Sequence, residues 1–288
     1  MASSKLPGPE GDDRMTTKQV PSTMARIFGK PRGLIGMIHV GALPGTPAQR
    51  RSLEAVTAQA VAEAQLLTDA GFDGMMIENM HDRPYLKRVV GPEIVAAMAC
   101  IGQEVKAATP LPLGVQVLAG ANQAALAVAL AVGASFVRVE GALFAHVADE
   151  GWMDADAGEL LRYRRQIGAD RIAIFADIKK KHSAHAVTAD VDLVATARAA
   201  EFFLADGVIV TAGETGQAAA PKDVEAAARA IGLPTLVGSG VTADNVGDYP
   251  RAAGLIVGSC LKEGGRWNAP MDIPRLDAMK TAFDATAR

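Results

Sequence analysis

The chain is short of cysteine, of aromatic residues, of excess charge and of long apolar runs. Only Cys100 and Cys260 among 288 residues are cysteines, and neither stands in a C-x-x-C pair. Two such residues cannot build a disulfide framework in a chain this long, so a reducing, cytoplasmic setting is expected. Both thiols are expected to be buried as small hydrophobes. Aromatics make up 5% of the chain, so its core must be built from Ala, Val, Leu, Ile and Met. Lys and Arg number 29 against 32 Asp and Glu, a net charge of −3. That leaves no basic surface, and nucleic acid is not expected as a partner. The longest nearly apolar stretch, 124–137, contains Gly133 and Ser135 and is too short to span a bilayer, so no membrane insertion is expected. The first residues lack the apolar core of a signal peptide. Glycine, in contrast, is plentiful at 29 residues, which points to turns and backbone-lined pockets.

Residues 1–33 are rich in Pro, Gly, Ser, Thr and charge, and read as a flexible tail with a short lead-in. From Leu34 the character changes. Short apolar runs at 34–40, 74–77, 113–118, 136–139, 172–178, 207–210, 235–237 and 255–257 are almost continuously hydrophobic, as parallel strands buried on both faces are. Amphipathic stretches lie between them. Leu53, Val56, Ala60, Ala64 and Leu67 share one helical face, and so do Ile94, Met98, Ile101 and Val105. Further helices are expected at 122–132, 156–167, 190–204, 222–231, 243–249 and 272–283. Eight strands, each followed by a helix, predict an α/β fold: one (β/α)8 TIM barrel over residues 34–288. The competing doubly wound sheet would carry a G-x-G-x-x-G turn after its first strand, and Gly41-Ala42-Leu43-Pro44-Gly45 is not one.

A barrel carries its active site at the carboxyl ends of its strands. The polar residues there are His39, then Glu78 and Asn79, then Gln116, then Arg138 and Glu140. The next two loops add Asp177 with the run Lys179-Lys180-Lys181-His182, and Thr211 with Glu214 and Thr215. Gly238-Ser239-Gly240, leading toward a helix at Ala243, and Gly258-Ser259 about twenty residues on, match the paired turns that hold phosphate in many barrels. Glu78 and Asn79 close an apolar strand and are expected to serve the site. Asp177 is an acid–base candidate and Lys181 its electrostatic partner; strand alternation points Asp177, Lys179 and Lys181 one way and Lys180 and His182 the other. A desolvated lysine here could instead form a Schiff base. His39, Glu78, Glu140, Asp177 and His182 would suit a divalent metal if they converged, although no H-E-x-x-H or H-x-H motif is present. His81, His146 and His185 fall in loops and are expected to be solvated.

These segments resemble the BtpA/SgcQ family. The resemblance is carried by Gly36-Met37-Ile38-His39 with Leu43-Pro44-Gly45-Thr46-Pro47, and by Asp73-Gly74-Met75-Met76-Ile77-Glu78-Asn79. It continues through Ala176-Asp177 with Lys181-His182, Val237-Gly238-Ser239-Gly240-Val241, Asn245-Val246, and Ile256-Val257-Gly258-Ser259 with Lys262. It implies a barrel of the ribulose-phosphate-binding type, with His39, Glu78, Asn79, Asp177, Lys181, His182 and the glycine-serine loops at its site. One branch of the family is associated with photosystem I assembly, and another carries a nucleosidase or sugar-metabolism assignment. The chain departs from the pattern where Gln116 replaces the usual Asn and Glu140 another, and where Leu118-Ala119-Gly120-Ala121 replaces an L-R-N-D stretch. Changes clustered at one part of the pocket imply a different substrate.

Two functions stay open at this level. One is an enzyme for a phosphorylated sugar or nucleoside-like molecule, by lyase, isomerase or nucleosidase chemistry with Asp177 or Glu78 as acid–base. Asn79, Gln116, Glu140, Gly238, Ser239, Gly240, Gly258 and Ser259 would then bind substrate and phosphate. The other is a non-catalytic assembly factor. A homo-oligomer is expected in either case.

Overall fold

In the computed structural model, residues 22–180, 182–212 and 218–286 are described. Eight parallel strands close into a barrel: β1 (Gly33–His39), β2 (Gly74–Glu78), β3 (Leu113–Gln116), β4 (Phe136–Val139), β7 (Ala173–Ile178), β9 (Gly207–Val210), β10 (Thr235–Val237) and β11 (Gly254–Val257), which pairs back onto β1. Helices α2 (Leu53–Asp69), α3 (Pro92–Ala108), α4 (Asn122–Val132), α5 (Ala157–Gln166), α6 (Leu193–Phe202), α7 (Pro221–Ala230) and α8 (Ile273–Ala285) cover the outside.

Every residue of the eight strands is buried, because each strand faces two separate cores. The outer core lies between strands and helices, and the α2 and α3 faces read from the sequence are part of it. The inner core fills the barrel with alternate strand residues: Ile35, Met37, Met76, Phe136, Phe175, Ile209, Leu236 and Ile256. Volume is balanced by glycine there. A Cβ on Gly114 would fall 2.2 Å from the Phe136 ring, and one on Gly207 would fall 2.4 Å from Phe175. The scarce aromatics are thus spent inside the barrel, with the two rings 5.6 Å apart.

Two expectations need correction. Residues 23–33 are not all tail: Thr23–Phe28 form α1, capped by Ser22, whose Oγ accepts from the Ala25 amide. Met24 and Phe28 pack into the inner core and close the barrel's amino end. Their burial outweighs the polar composition of the segment around them. The helix expected at 243–249 reduces to a 3₁₀ turn, Val246–Asp248. There Asn245 accepts from the Thr242 amide and donates to the Gly240 carbonyl, a local pattern that competes with helix formation.

A small antiparallel sheet, absent from the sequence reading, stands over the barrel mouth. It comprises β5 (His146–Ala148), β6 (Gly151–Met153) and β8 (Ser183–Ala184) in the order β6-β5-β8. Paired residues His146 and Met153 are buried beneath it, while Val147 and Trp152 are paired on its exposed face.

Candidate active site at the barrel mouth

The inward alternation that fills the barrel with Met37, Met76 and Phe136 continues upward as polar residues. His39, Glu78 and Gln116 lie in register on adjacent strands. Arg138 and Asp177 continue the layer, and Gly238 and Gly258 follow the ends of β10 and β11. Above it lies a cavity of about 400 Å3 that includes His39, Glu78, Arg138, Glu140, Lys180, His182, Gly238, Ser239, Gly240, Gly258 and Ser259 in its lining.

Three pairs of titratable side chains shape this cavity. Arg138 Nε and Nη2 each donate to Asp177 at 2.9 Å, a bidentate fork with both groups buried. Burial works against the Arg138 charge, but Asp177 outweighs it and pushes the guanidinium pKa up. Lys180 meets Glu140 at 3.4 Å. His39 Nε2 lies 3.9 Å from Glu78 Oε2. The His39 tautomer is fixed by its other nitrogen: Nδ1 lies 2.9 Å from the Trp267 carbonyl, which can only accept, so Nδ1 carries a proton. Trp267 is clamped in turn, with His81 at 4.7 Å between ring centroids and the Arg83 guanidinium 4.9 Å over its ring.

The glycine-serine turns lie beside the His39–Glu78 pair. A Cβ on Gly258 would sit 3.2 Å from His39 Nε2, so glycine there leaves the imidazole its room. Gly240 has φ +70, a conformation that favours glycine. The Ser239 hydroxyl accepts from the Ala212 amide at 3.1 Å and ties the β10 turn to β9. Arg275, at the start of α8, joins the lining near these turns and donates to the Cys260 carbonyl.

The expected site residues therefore divide. His39, Glu78, Glu140, His182 and the glycine-serine turns border one cavity. Asn79, Gln116 and Asp177 are not in its lining. Asn79 works within the scaffold: it donates to Asp82 and accepts from the Leu118 amide, joining the loops after β2 and β3. Gln116 is buried with its side-chain amide unpaired by hydrogen bonds. Asp177 is engaged by Arg138 instead of facing the cavity. β7 ends at Ile178; beyond it Lys179 donates to the Thr188 carbonyl, and Lys180 and His182 line the cavity whereas Asp177 and Lys179 do not. Lys181, Glu214 and Thr215 lie outside the described residues.

The five residues weighed as metal ligands do not assemble. Asp177 is taken by Arg138, Glu140 by Lys180 and His39 by Trp267. Among the described residues no group of three His, Cys, Asp or Glu is arranged to hold an ion. His146 is not solvated but buried, and burial, together with nearby Lys180 and His185, lowers its pKa to about 4. Cys100 is exposed on α3, contrary to expectation.

Sequence reasoning passed over Asp149, Glu150 and Arg88. The first two form the turn between β5 and β6 and overhang the cavity. Arg88 ties the loops together, donating to the carbonyls of Gly120, Glu140 and Gly141 and pairing with Asp156 at 2.8 Å. An Asp-Glu pair before Gly151, flanked by alternating residues, was the available signal for this hairpin.

Residues 30–284 match the BtpA family. A mitochondrial protein of Caenorhabditis elegans is 45% identical over 259 residues, 88% of this chain and 94% of that one. The photosystem I biogenesis protein BtpA of Synechocystis is 37% identical over 260 residues, 90% of each chain. Among solved structures, (S)-3-O-geranylgeranylglyceryl phosphate synthase of Thermoplasma acidophilum superposes with a TM-score of 0.59 at 16% identity, covering 91% of this chain and 97% of that one. Thiamine phosphate pyrophosphorylase of Pyrococcus furiosus does so at 0.55 and 12% identity, covering 90% and 98%. At such identities these two structures establish the fold alone. No helix among the described residues is long and apolar enough to cross a membrane.

Proposed function

This chain belongs to the BtpA family, and from that premise we propose that its barrel mouth is the active site of an enzyme for a phosphorylated sugar or nucleoside-like small molecule. The observation that carries the reading is the adjacency of two devices: the Gly258 turn packs directly against His39, which faces Glu78. An anion held by the backbone of Gly240, Gly258 and Ser259, with Arg275 nearby, would bring its carbon skeleton over the imidazole and carboxylate. The two solved neighbours are named for phosphate-bearing substrates or products, in line with that use of the turns.

His39 and Glu78 form the acid–base couple of this reading. With Nδ1 protonated toward Trp267, the Nε2 edge is the one directed at Glu78, and the pair can take up or release a proton beside the substrate. Lys180, rather than Lys181, supplies positive charge to a developing enolate or oxyanion, while Glu140 keeps it in place. For N-glycosidic cleavage, Glu78 would stabilise an oxocarbenium-like centre. Asp177 acts one step removed: it fixes Arg138 in the cavity floor. The two free cysteines suit a cytoplasmic setting.

A thermal-shift screen against sugar phosphates and nucleotides tests this. A stabilising ligand is expected, with the shift lost in Gly240→Asp, which places an anion in the turn. Turnover of that ligand should fall by about 100-fold or more in Glu78→Gln while binding persists. Absence of any shift across a broad library would sink the enzyme reading. It would then favour the assembly-factor reading, which the name of the Synechocystis relative and the exposed Val147 and Trp152 support.

A further inference from the structure

The glycine turns account for one end of a cavity of about 400 Å3, a size in the range that holds ligands of drug size. The opposite end is built differently. In the closed circuit of strands, β3 stands four places from β10, across the mouth. There Met80 and Tyr85, from the loop after β2, join Leu118 and Ala119, which follow β3, in the lining. Met37, Val241, Ile256 and Val257 also border the cavity, but they are buried in the barrel's two cores. Met80 and Tyr85 are only half-buried and keep surface for a ligand.

The polar groups of this wall are spent on one another. The Tyr85 hydroxyl donates to the Met80 carbonyl at 2.7 Å and lies 3.7 Å from the Met80 sulfur. Asn79 accepts from the Leu118 amide, the Ala119 amide donates to the Leu86 carbonyl, and the Ala119 carbonyl accepts from the Arg88 amide. What the wall offers a ligand is therefore a thioether, a phenol ring and aliphatic carbon. A sugar hydroxyl placed there would give up water to a surface whose donors and acceptors are already engaged. A planar ring would bury apolar area against Tyr85 and the Met80 sulfur, both of which favour aromatic contacts. The field at this wall selects further. Burial and then Glu78, with Glu140 and Asp82 adding and Arg83 opposing, push the Tyr85 phenol pKa up. The same excess of carboxylates would repel a carboxylate or a second phosphate on the ligand.

We infer that the β2–β3 wall is a ring subsite: the ligand is a phosphate monoester that carries an uncharged aromatic or heteroaromatic ring, its phosphate on the Gly240 and Gly258 turns and its ring on Met80, Tyr85 and Leu118. The strands between the two ends suit this span. From β10 and β11 to β3 the circuit passes β1 and β2, which carry His39 and Glu78. The linkage joining phosphate to ring thus crosses the acid–base couple. The inference rests on the anion-site reading above and narrows its ligands from bare sugar phosphates to ring-bearing ones.

Isothermal titration calorimetry on the full chain at pH 7 tests it with two matched pairs: uridine 5'-monophosphate against ribose 5-phosphate, and benzyl phosphate against ethyl phosphate. The ring-bearing member of at least one pair is expected to bind roughly tenfold tighter. The preference should persist in Tyr85→Phe, whose lost hydroxyl is spent on Met80, and shrink to about threefold or less in Tyr85→Ala. Met80→Ala should reduce it in the same direction, and it carries the test if Tyr85→Ala does not fold. Inorganic phosphate, which does not reach the wall, should bind all of these proteins alike. A carboxyl group on the benzyl ring should abolish the advantage. Equal affinities within both pairs on the unaltered chain overturn the ring subsite and leave the anion site standing. A preference that survives both alanine variants, or is lost in Tyr85→Phe, also overturns it, and carboxybenzyl phosphate binding as tightly as benzyl phosphate overturns the restriction to uncharged rings. If neither inorganic phosphate nor any of the five esters binds, the anion-site reading falls and the subsite with it.

Discussion

Replacing Asp177 by Leu should be among the most damaging single changes in the barrel, and for a reason unrelated to catalysis. The Arg138 and Asp177 side chains are 4% and 1% exposed, and their two 2.9 Å bonds are buried within the barrel mouth. Removing the carboxylate leaves a guanidinium that cannot shed its proton and that, among the described residues, keeps the Gly238 carbonyl at 3.5 Å as its remaining hydrogen-bond partner. Breaking a buried pair in this way costs about 3–5 kcal/mol. For a domain of this size, that corresponds to a fall in Tm of about 6–20 °C. Arg138→Met should also be destabilising, since it takes the bidentate donor away from the buried Asp177 carboxylate. The double variant Arg138→Met/Asp177→Leu removes both charges at similar volume and should be more stable than either single variant. Urea denaturation followed by circular dichroism measures all three. A loss below about 1 kcal/mol in Asp177→Leu, as for an exposed pair, would refute the reasoning. So would a double variant whose losses simply add.

Three further outcomes are expected. His146 is buried with its pKa lowered to about 4, so the unfolded chain binds its proton first as pH falls. Its contribution is present above about pH 6.5 and is lost as pH falls toward 4; thermal melts across that window should show a shallower acid slope in His146→Gln. Asp156 is opposite in sign: burial raises its pKa to about 6, so stability linked to it is full below about pH 4 and is lost as pH rises through 6. In Asp156→Asn that decline should flatten in the same melts, and an unchanged slope would disprove the assignment. Gly258→Ala should fold, at a cost of about 1–3 kcal/mol, because its Cβ would meet His39 and Met37 at 3.2 Å. Phosphate affinity by calorimetry should nonetheless fall.

Legibility from sequence followed burial. The barrel strands could be read because residues buried on both faces form unbroken apolar runs, and α2 and α3 because one face of each repeats at helical period. The short strands of the mouth, two or three residues each, carry no period long enough to detect. Met24 and Phe28 escaped notice because a single buried turn does not alter the composition of a polar segment. At the site, strand-end position identified His39, Glu78 and Glu140. It could not say that Asn79 and Asp177 would spend their hydrogen bonds on neighbours, since Asp82 and Arg138 reach them only through the tertiary fold. Lys180 lies past the end of β7 in a lysine run that reads as a solvated loop, and only the tertiary fold brings it to Glu140.

The ring of inward residues at the mouth is uneven in height. Arg138 and Asp177 fill one arc, whereas Gly238 and Gly258 contribute no side chain on another. The places of those two are taken by neighbours: a Cβ on Gly238 would fall 2.4 Å from Ile209, and one on Gly258 3.2 Å from His39 and Met37. A single methyl at either glycine would therefore be felt on the next strand, so the mouth's tolerance of change is set by two residues that carry no side chain at all.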